Sequence, residues 1–124
     1  YLIKLINRMA ASKTDVVVLK GEGKSKEDIK LDYTVLRKAV LILRAVNHDL
    51  RQAIIKLLEE SKKLTVTQIY VKLRLEQSVA SQHLAILRKA GVVVTERDGK
   101  FIYYTLDKSR IKEISTLIGD LVVD

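Results

Sequence analysis

Two apolar stripes of helical period, separated by a very short break, run through TVTQIYVKLRLEQSVASQHLAILRKAG at residues 65–91. Val66, Ile69, Tyr70 and Leu73 form the first stripe, and Ala80, Leu84 and Leu87 form the second. Thr65 followed by Gln68 writes a capping box at the start of the first helix. Leu75 and Glu76 make the break, the second helix spans residues 77–90, and Gly91 offers the left-handed residue that closes it. Two helices joined by so short a turn form a helix-turn-helix.

The free side of the second helix is the chemically informative one. At about 100° per residue, Ser78, Ser81, Gln82, Ala85 and Lys89 fall opposite its core stripe. Such a face is either simply solvated or suited to base edges. Glutamine pairs with adenine through two hydrogen bonds in the major groove, and serine serves several bases. Gln77 opens the same helix and joins this candidate set. Thr65, Thr67, Arg88 and Lys89 suit phosphates, contacts that position a duplex without reading it.

The charge balance agrees with that choice. Among 124 residues, 23 Lys and Arg against 15 Asp and Glu leave a formal charge of +8, which makes a polyanion the default partner. The length suits one domain with a real core, and the lack of proline favours uninterrupted helices. Without cysteine there is no disulfide framework, thiolate metal site or thiol switch. No apolar run approaches the roughly 18 to 20 residues a membrane span needs. The opening YLIKLINRMAASK is too short in apolar residues for a convincing signal peptide. GEGKS at 21–25 resembles the tail of a phosphate loop, but Val18 stands where its first glycine belongs. No nucleophile–base pair, phosphate loop or metal motif stands out, so neither an enzyme nor a cofactor is expected.

Residues 1–31 read as an N-terminal extension. YLIKLINRM suits a helical turn or two, DVVVLK a strand, and GEGKSKEDIK a polar turn or linker; Met9 is a candidate natural start. From residue 32 to 124 the pattern is regular and mainly helical. DYTVLRKAVLILRAV is a helix whose apolar residues, among them Leu36, Val40 and Leu43, wrap most of its circumference, which asks for cover by a partner chain. Asp49 stands at the N-cap of the next helix, with Gln52 three residues on, and Leu50, Ala53, Ile54, Leu57 and Leu58 form its buried stripe. After Gly91, two β-rich runs around Asp98-Gly99 give a hairpin at 92–106. Ile102, Tyr104 and Leu106 are expected to face the core, while Arg97 and Lys100 flank the turn. These two cations either reach a flanking phosphate or minor groove, or are an ordinary charged tip. The last helix spaces Ile111, Ile114, Ile118 and Leu121 as a short coiled-coil seam. His83 lies beside the core stripe, where a structural role fits, and His48 reads as a surface turn. Two such histidines make no metal site.

The region from Asp32 onward resembles the ArsR (ArsR/SmtB-like) family of bacterial winged helix-turn-helix repressors. LEQSVASQHLAILRKAGVV is similar to the family's recognition helix, with Leu75, Gln77, Ser81, His83, Leu84, Leu87, Arg88, Ala90 and Gly91 at matching positions. RDGKFIYYTL is similar to its β-wing, including the paired Tyr103 and Tyr104, and Arg51 matches the arginine that opens the family's second helix. The resemblance implies a cytoplasmic homodimer built on the first and last helices, and a double-stranded operator of two-fold symmetry. The bottom-up reading asks for a partner over the same helices. A winged-helix module used for protein–protein contact is the alternative. Glu76 and Ser78 depart from the family, which often has a capping serine and a proline there; Glu76 is the weaker cap and sets its charge near phosphates. The family's cysteine and histidine metal ligands are missing, since no histidine follows His83.

Zinc, nickel, arsenite or peroxide should therefore not release this protein from its operator through the family's usual sites. Glu113 and Asp120, a heptad apart, offer only oxygen donors, which discriminate poorly among transition metals. Operator-binding titrations of treated against chelated protein check this; release at micromolar zinc with stoichiometric uptake contradicts it.

Overall fold

The computed structural model describes residues 15–24 and 26–122, so the helical turns expected within residues 1–9, and Met9 itself, lie outside the described residues. The chain divides into two compact units, Tyr1–Val40 and Leu41–Asp124.

In the first unit, β1 (Val16–Leu19) and β2 (Ile29–Asp32) pair as an antiparallel hairpin, with Val17 opposite Leu31 and Leu19 opposite Ile29. The strand expected in DVVVLK is present. β2 stands where the end of a polar linker was expected; its four residues carry too little pattern, and pairing with β1 decides their conformation. Asp32 starts α1 (Tyr33–Val46), its carboxylate accepting from the N–H of Thr34 at 3.0 Å and of Val35 at 3.3 Å. These satisfy amides that a helix start leaves without partners. Arg37 pairs with Asp15 at 3.3 Å, and the Tyr33 N–H donates to the Asp15 carbonyl. Both contacts tie the first turns of α1 to the hairpin.

In the second unit, α2 (Asp49–Ser61), α3 (Val66–Leu73), α4 (Gln77–Lys89) and α5 (Lys108–Leu121) build a core with the end of α1. Ile54, Leu58, Ile69, Leu84, Leu87, Val92 and Val93 are fully buried. Each such burial stabilises by about 1.5–3 kcal/mol. Glu59 on α2 reaches Lys108 at the start of α5 (3.2 Å), and Lys108 followed by Lys62 holds its carboxyl below the usual range.

A three-stranded antiparallel sheet, ordered β3 (Lys63–Thr65), β5 (Phe101–Leu106), β4 (Val93–Asp98), completes the unit. The hairpin and its helical frame were expected; β3 was not, because three residues hold no period. Leu64 pairs with Tyr104, and Leu64, Tyr104 and Leu106 turn toward the core. Ile102 does not join them as expected. It is 52% exposed, because its pairing with Arg97 lies near the hairpin tip, beyond the core's edge. Asp98 pairs with Phe101, so the tip is Gly99-Lys100 rather than Asp98-Gly99. Gly99 takes φ 61° there, a first turn position that favours glycine, and Lys100 sits within the turn instead of flanking it.

Two other local readings are corrected. The N-cap of α2 is His48, whose Nδ1 accepts from the Leu50 N–H at 3.1 Å; Asp49 becomes the first helical residue, where its charge suits the dipole. Gln52 donates to the Val46 carbonyl at 3.0 Å instead of closing a box. The break between α3 and α4 begins at Arg74, which is left-handed (φ 55°, ψ 43°). The N–H groups of Arg74 and Leu75 donate to the carbonyls of Val71 and Tyr70, and the turn is too tight for Arg74 to relax. A side chain in that region costs roughly 1 kcal/mol that glycine does not pay. Arg74→Gly should therefore stabilise the chain by about 1 kcal/mol, raising the midpoint of thermal unfolding by several degrees. A midpoint that stays or falls in calorimetry contradicts this.

Candidate nucleic-acid interface

α4 is anchored along one side and at one end. Ala80, Leu84 and Leu87 are fully buried, as their spacing predicts. At its C-terminus the N–H of Val92 donates to the Leu87 carbonyl and that of Gly91 to the Arg88 carbonyl, with Gly91 at φ 78°. This paired pattern satisfies carbonyls the helix end leaves open. Arg110, third residue of α5, adds a bond from its Nε to the Ala90 carbonyl at 3.1 Å. A Cβ on Gly91 would stand 3.3 Å from that Nε, a tight contact that a small shift of the arginine would relieve, so it is the φ that favours glycine.

The other end is open. Glu76 occupies the N-cap without a side-chain hydrogen bond, as its length and charge suggest. From there Gln77, Ser78, Ser81, Gln82, Ala85, Arg88 and Lys89 are all exposed, and α4 contains no acidic residue. Arg88 and Lys89 sit in the last turn, where positive charge favours the helix dipole.

α3 presents its own start nearby in the chain. The capping box is complete: Thr65 Oγ1 accepts from the Gln68 N–H at 3.2 Å, and Gln68 Oε1 from the Thr65 N–H at 2.9 Å. The Thr65 hydroxyl keeps its proton free to donate. Thr67 is exposed beside it. Because β3 pairs with β5, Thr65 lies across from Tyr103. A groove of about 500 Å³ results, lined by Thr65, Thr67, Gln68, Lys100, Phe101 and Tyr103. The wing and the start of α3 thus share one surface, a juxtaposition the sequence did not reveal because β3 was invisible in it. Lys63 lies over the Tyr103 ring at 4.9 Å and Lys100 over Phe101 at 5.2 Å. Lys63 was not among the expected residues, and no pattern in the sequence would have found it. Arg97 is exposed but latched, its Nε donating to the Gly99 carbonyl at 3.2 Å.

His83 and Arg51 lie behind the free face. Arg51 is buried; its Nε donates to the Ala45 carbonyl (2.6 Å), Nη2 to the Arg44 carbonyl (3.0 Å) and Nη1 to His83 Nδ1 (3.2 Å). Burial first, then His48 and Arg51, push the His83 pKa below its ordinary value. Among the described residues no group of three or more His, Asp or Glu side chains is placed to hold a metal ion.

The residues expected at a subunit contact divide. Leu36 and Val40 are exposed, and Leu43 packs against the core. Along α5, Ile114 is buried and Ile111 packs on the core, whereas Ile118 and Leu121 are exposed together with Leu117 and Val122. A groove of about 230 Å³ bordered by Val46, Ile55, Ile111, Ile114, Ser115 and Ile118 runs beside them. Among the described residues no helix is long and apolar enough to cross a membrane.

Known proteins share this arrangement. The family model described as bacterial regulatory protein, arsR family, matches residues 48–95. An uncharacterized HTH-type transcriptional regulator of Methanocaldococcus jannaschii is 37% identical over 84 residues, covering 68% of this chain and 94% of that protein. The transcriptional activator HlyU of Vibrio cholerae is 36% identical, covering 68% of this chain and 77% of its own length. The transcriptional repressor PagR of Bacillus anthracis is 34% identical over 94 residues, covering 76% of this chain and 94% of PagR. The crystal structure of PagR superimposes with a TM-score of 0.56 at 34% identity, over 70% of this chain and 99% of that one. With its capped α3, tight turn, acid-free α4 and hairpin wing, the chain belongs to the ArsR family of winged helix-turn-helix transcriptional regulators.

Proposed function

We propose that residues 32–124 form a sequence-specific, double-stranded DNA-binding module that acts as a homodimer on an inverted-repeat operator and represses transcription, in the cytoplasm. One observation carries this reading: the exposed face of α4 holds Ser78, Ser81, Gln82 and Lys89 with no acid among them, on a helix whose opposite side is fully buried. A polar face held that rigidly suits base edges, because readout needs donors and acceptors fixed before contact. Thr65, Thr67, Gln77, Arg88 and Lys89 are assigned to phosphates or the first base step, and Arg97 and Lys100 to the flanking groove. The names of the relatives include both an activator and a repressor. Repression is favoured by the resemblance to the family's repressors, PagR among them.

Dimerisation is supported by apolar surface left open at two places. Val35, Leu36, Val40 and Leu41 of α1, and Leu117, Ile118 and Leu121 of α5 with Val122 just after it, are all more than a third exposed. Contiguous apolar surface of this kind marks a contact site. A two-fold dimer also matches the symmetry of an inverted repeat, whose half-sites lie about one helical turn apart.

The test separates readout from anchoring. Gln82→Ala should relax preference at particular base pairs, at a cost of roughly 1–3 kcal/mol. Lys89→Ala should weaken all sequences alike and reduce the salt slope by about one unit. Binding that is unmoved in both variants would assign the face to solvent and favour a protein-contact module. Ile118→Glu should give monomers and weaker operator binding; a wild-type chain that sediments as a monomer at micromolar concentration sinks the dimer.

A further inference from the structure

We infer that His83, in its neutral form, is the positioning residue of the DNA-reading helix α4, so that specific DNA binding weakens on acidification. The inference rests on the reading of α4 as the helix that meets the bases. It begins from a bond whose direction is fixed by chemistry. Arg51 Nη1 stands 3.2 Å from His83 Nδ1. A guanidinium can only donate, so Nδ1 must be the acceptor and the ring proton resides on Nε2.

Arg51 has no freedom to accommodate a change. It is buried, and its remaining nitrogens are committed to the carbonyls of Ala45 and Arg44 at the end of α1. It does not surrender a proton near neutrality. On the other side, the His48 ring lies 4.7 Å from that of His83, tilted by 44°. His48 is itself fixed, because its Nδ1 accepts from the Leu50 N–H. His48 and Arg51 are the titratable and charged groups facing His83; its neighbours one turn away on α4, Val79, Ala80, Ile86 and Leu87, are apolar.

Protonation of His83 at Nδ1 turns the acceptor into a donor aimed at a donor. It also places two positive charges 3.2 Å apart in a partly buried site. Arg51 cannot restore the bond by a local rotation, so the imidazole loses its fixed partner. His83 stands between Gln82 on the exposed face and Leu84 in the core stripe, so the loss loosens the seat of the reading face. The lowered pKa of His83, caused first by burial, agrees with this. The unfolded chain takes up the proton more readily than the folded one. Stability from the neutral ring is therefore fully present above the unfolded value near 6.5 and is lost as pH falls through the folded value.

The sign of the effect is its signature. Adding protons to a basic protein ordinarily strengthens its hold on a polyanion. A loss of affinity in acid runs against that trend and cannot come from net charge.

The experiment uses the full chain and a labelled duplex obtained by selection from a random-sequence library at about pH 8. Dissociation constants are then measured by anisotropy between about pH 8 and about pH 4.5, a range that reaches below the ordinary histidine value because the His83 pKa is lowered. Wild-type affinity should fall about tenfold in acid, the order expected for losing one charge-assisted hydrogen bond. His83→Gln retains an acceptor for Arg51 but does not titrate; it should bind somewhat more weakly at about pH 8 and show no further acid loss. His83→Leu should be weakened about tenfold at every pH. His48→Asn should keep the acid loss. Circular dichroism at each pH verifies that the chains are folded. A flat or rising wild-type profile, or one shared by His83→Gln, overturns the inference while leaving the DNA-reading function intact. An acid loss removed by His48→Asn instead reassigns the switch and also overturns it. Selection that enriches no sequence refutes the underlying function, and this inference with it.

Discussion

A guanidinium with three separate partners sits at the junction on which the DNA-reading unit is built. Arg51 seals the last carbonyls of α1, belongs to the first turn of α2 and reaches α4 through His83. Among the described residues no carboxylate pairs with it. A buried charge is tolerated only where hydrogen bonds replace its hydration. Here the replacement comes from carbonyls in the last turn of α1, at the negative end of its dipole; the Arg44 carbonyl also accepts from the Asn47 N–H. The same groups that would be costly alone thus satisfy each other. Because two of its partners end α1 and the third lies on α4, one side chain of α2 links the three helices.

The device is used twice. Arg110 stands at the third position of α5, as Arg51 does in α2, and seals the C-terminus of α4 through the Ala90 carbonyl. In both cases an arginine early in a later helix closes the end of another. For α4 the outcome is a helix fixed at its C-terminal end and along its core stripe, with an N-terminus that Glu76 leaves without a side-chain cap. Small polar side chains in the first two turns are then the ones free to meet a ligand. Rigidity at one end and unspent amides at the other are what base readout requires.

Apolar surface has a similar logic. The seam of α5 does not serve one purpose: Ile114 and Ile111 complete the chain's own core, and Ile118 and Leu121 remain outside with Leu117 and Val122. The helix is longer than the core it covers, so its distal turns have nothing of the same unit to pack on. An isolated small domain would be selected against leaving such residues exposed, since each loses about 1.5–3 kcal/mol of potential burial.

The sequence by itself determined the elements whose residues contact mainly their own neighbours. The capping box at Thr65, the stripes of α3 and α4, the C-terminal role of Gly91 and the exposed identity of Ser78, Ser81 and Gln82 are all set by spacing along the chain. Helical period is local, so it can be read locally. The tertiary structure alone decided the elements made by pairing with distant residues. β3 has too few residues to show a pattern and exists because β5 is beside it; with it came the groove shared by Thr65 and Tyr103. The one-residue shift of the wing's tip came from cross-strand register, and His48 replaces Asp49 as a cap because its extended backbone lets its Nδ1 accept from the Leu50 N–H. Arg51 could be matched to a family position from the sequence, but its three partners lie six, seven and thirty-two residues away. No periodicity connects residues at those separations. Only folding brings them within hydrogen-bond reach, and so only the fold explains why the charge is there.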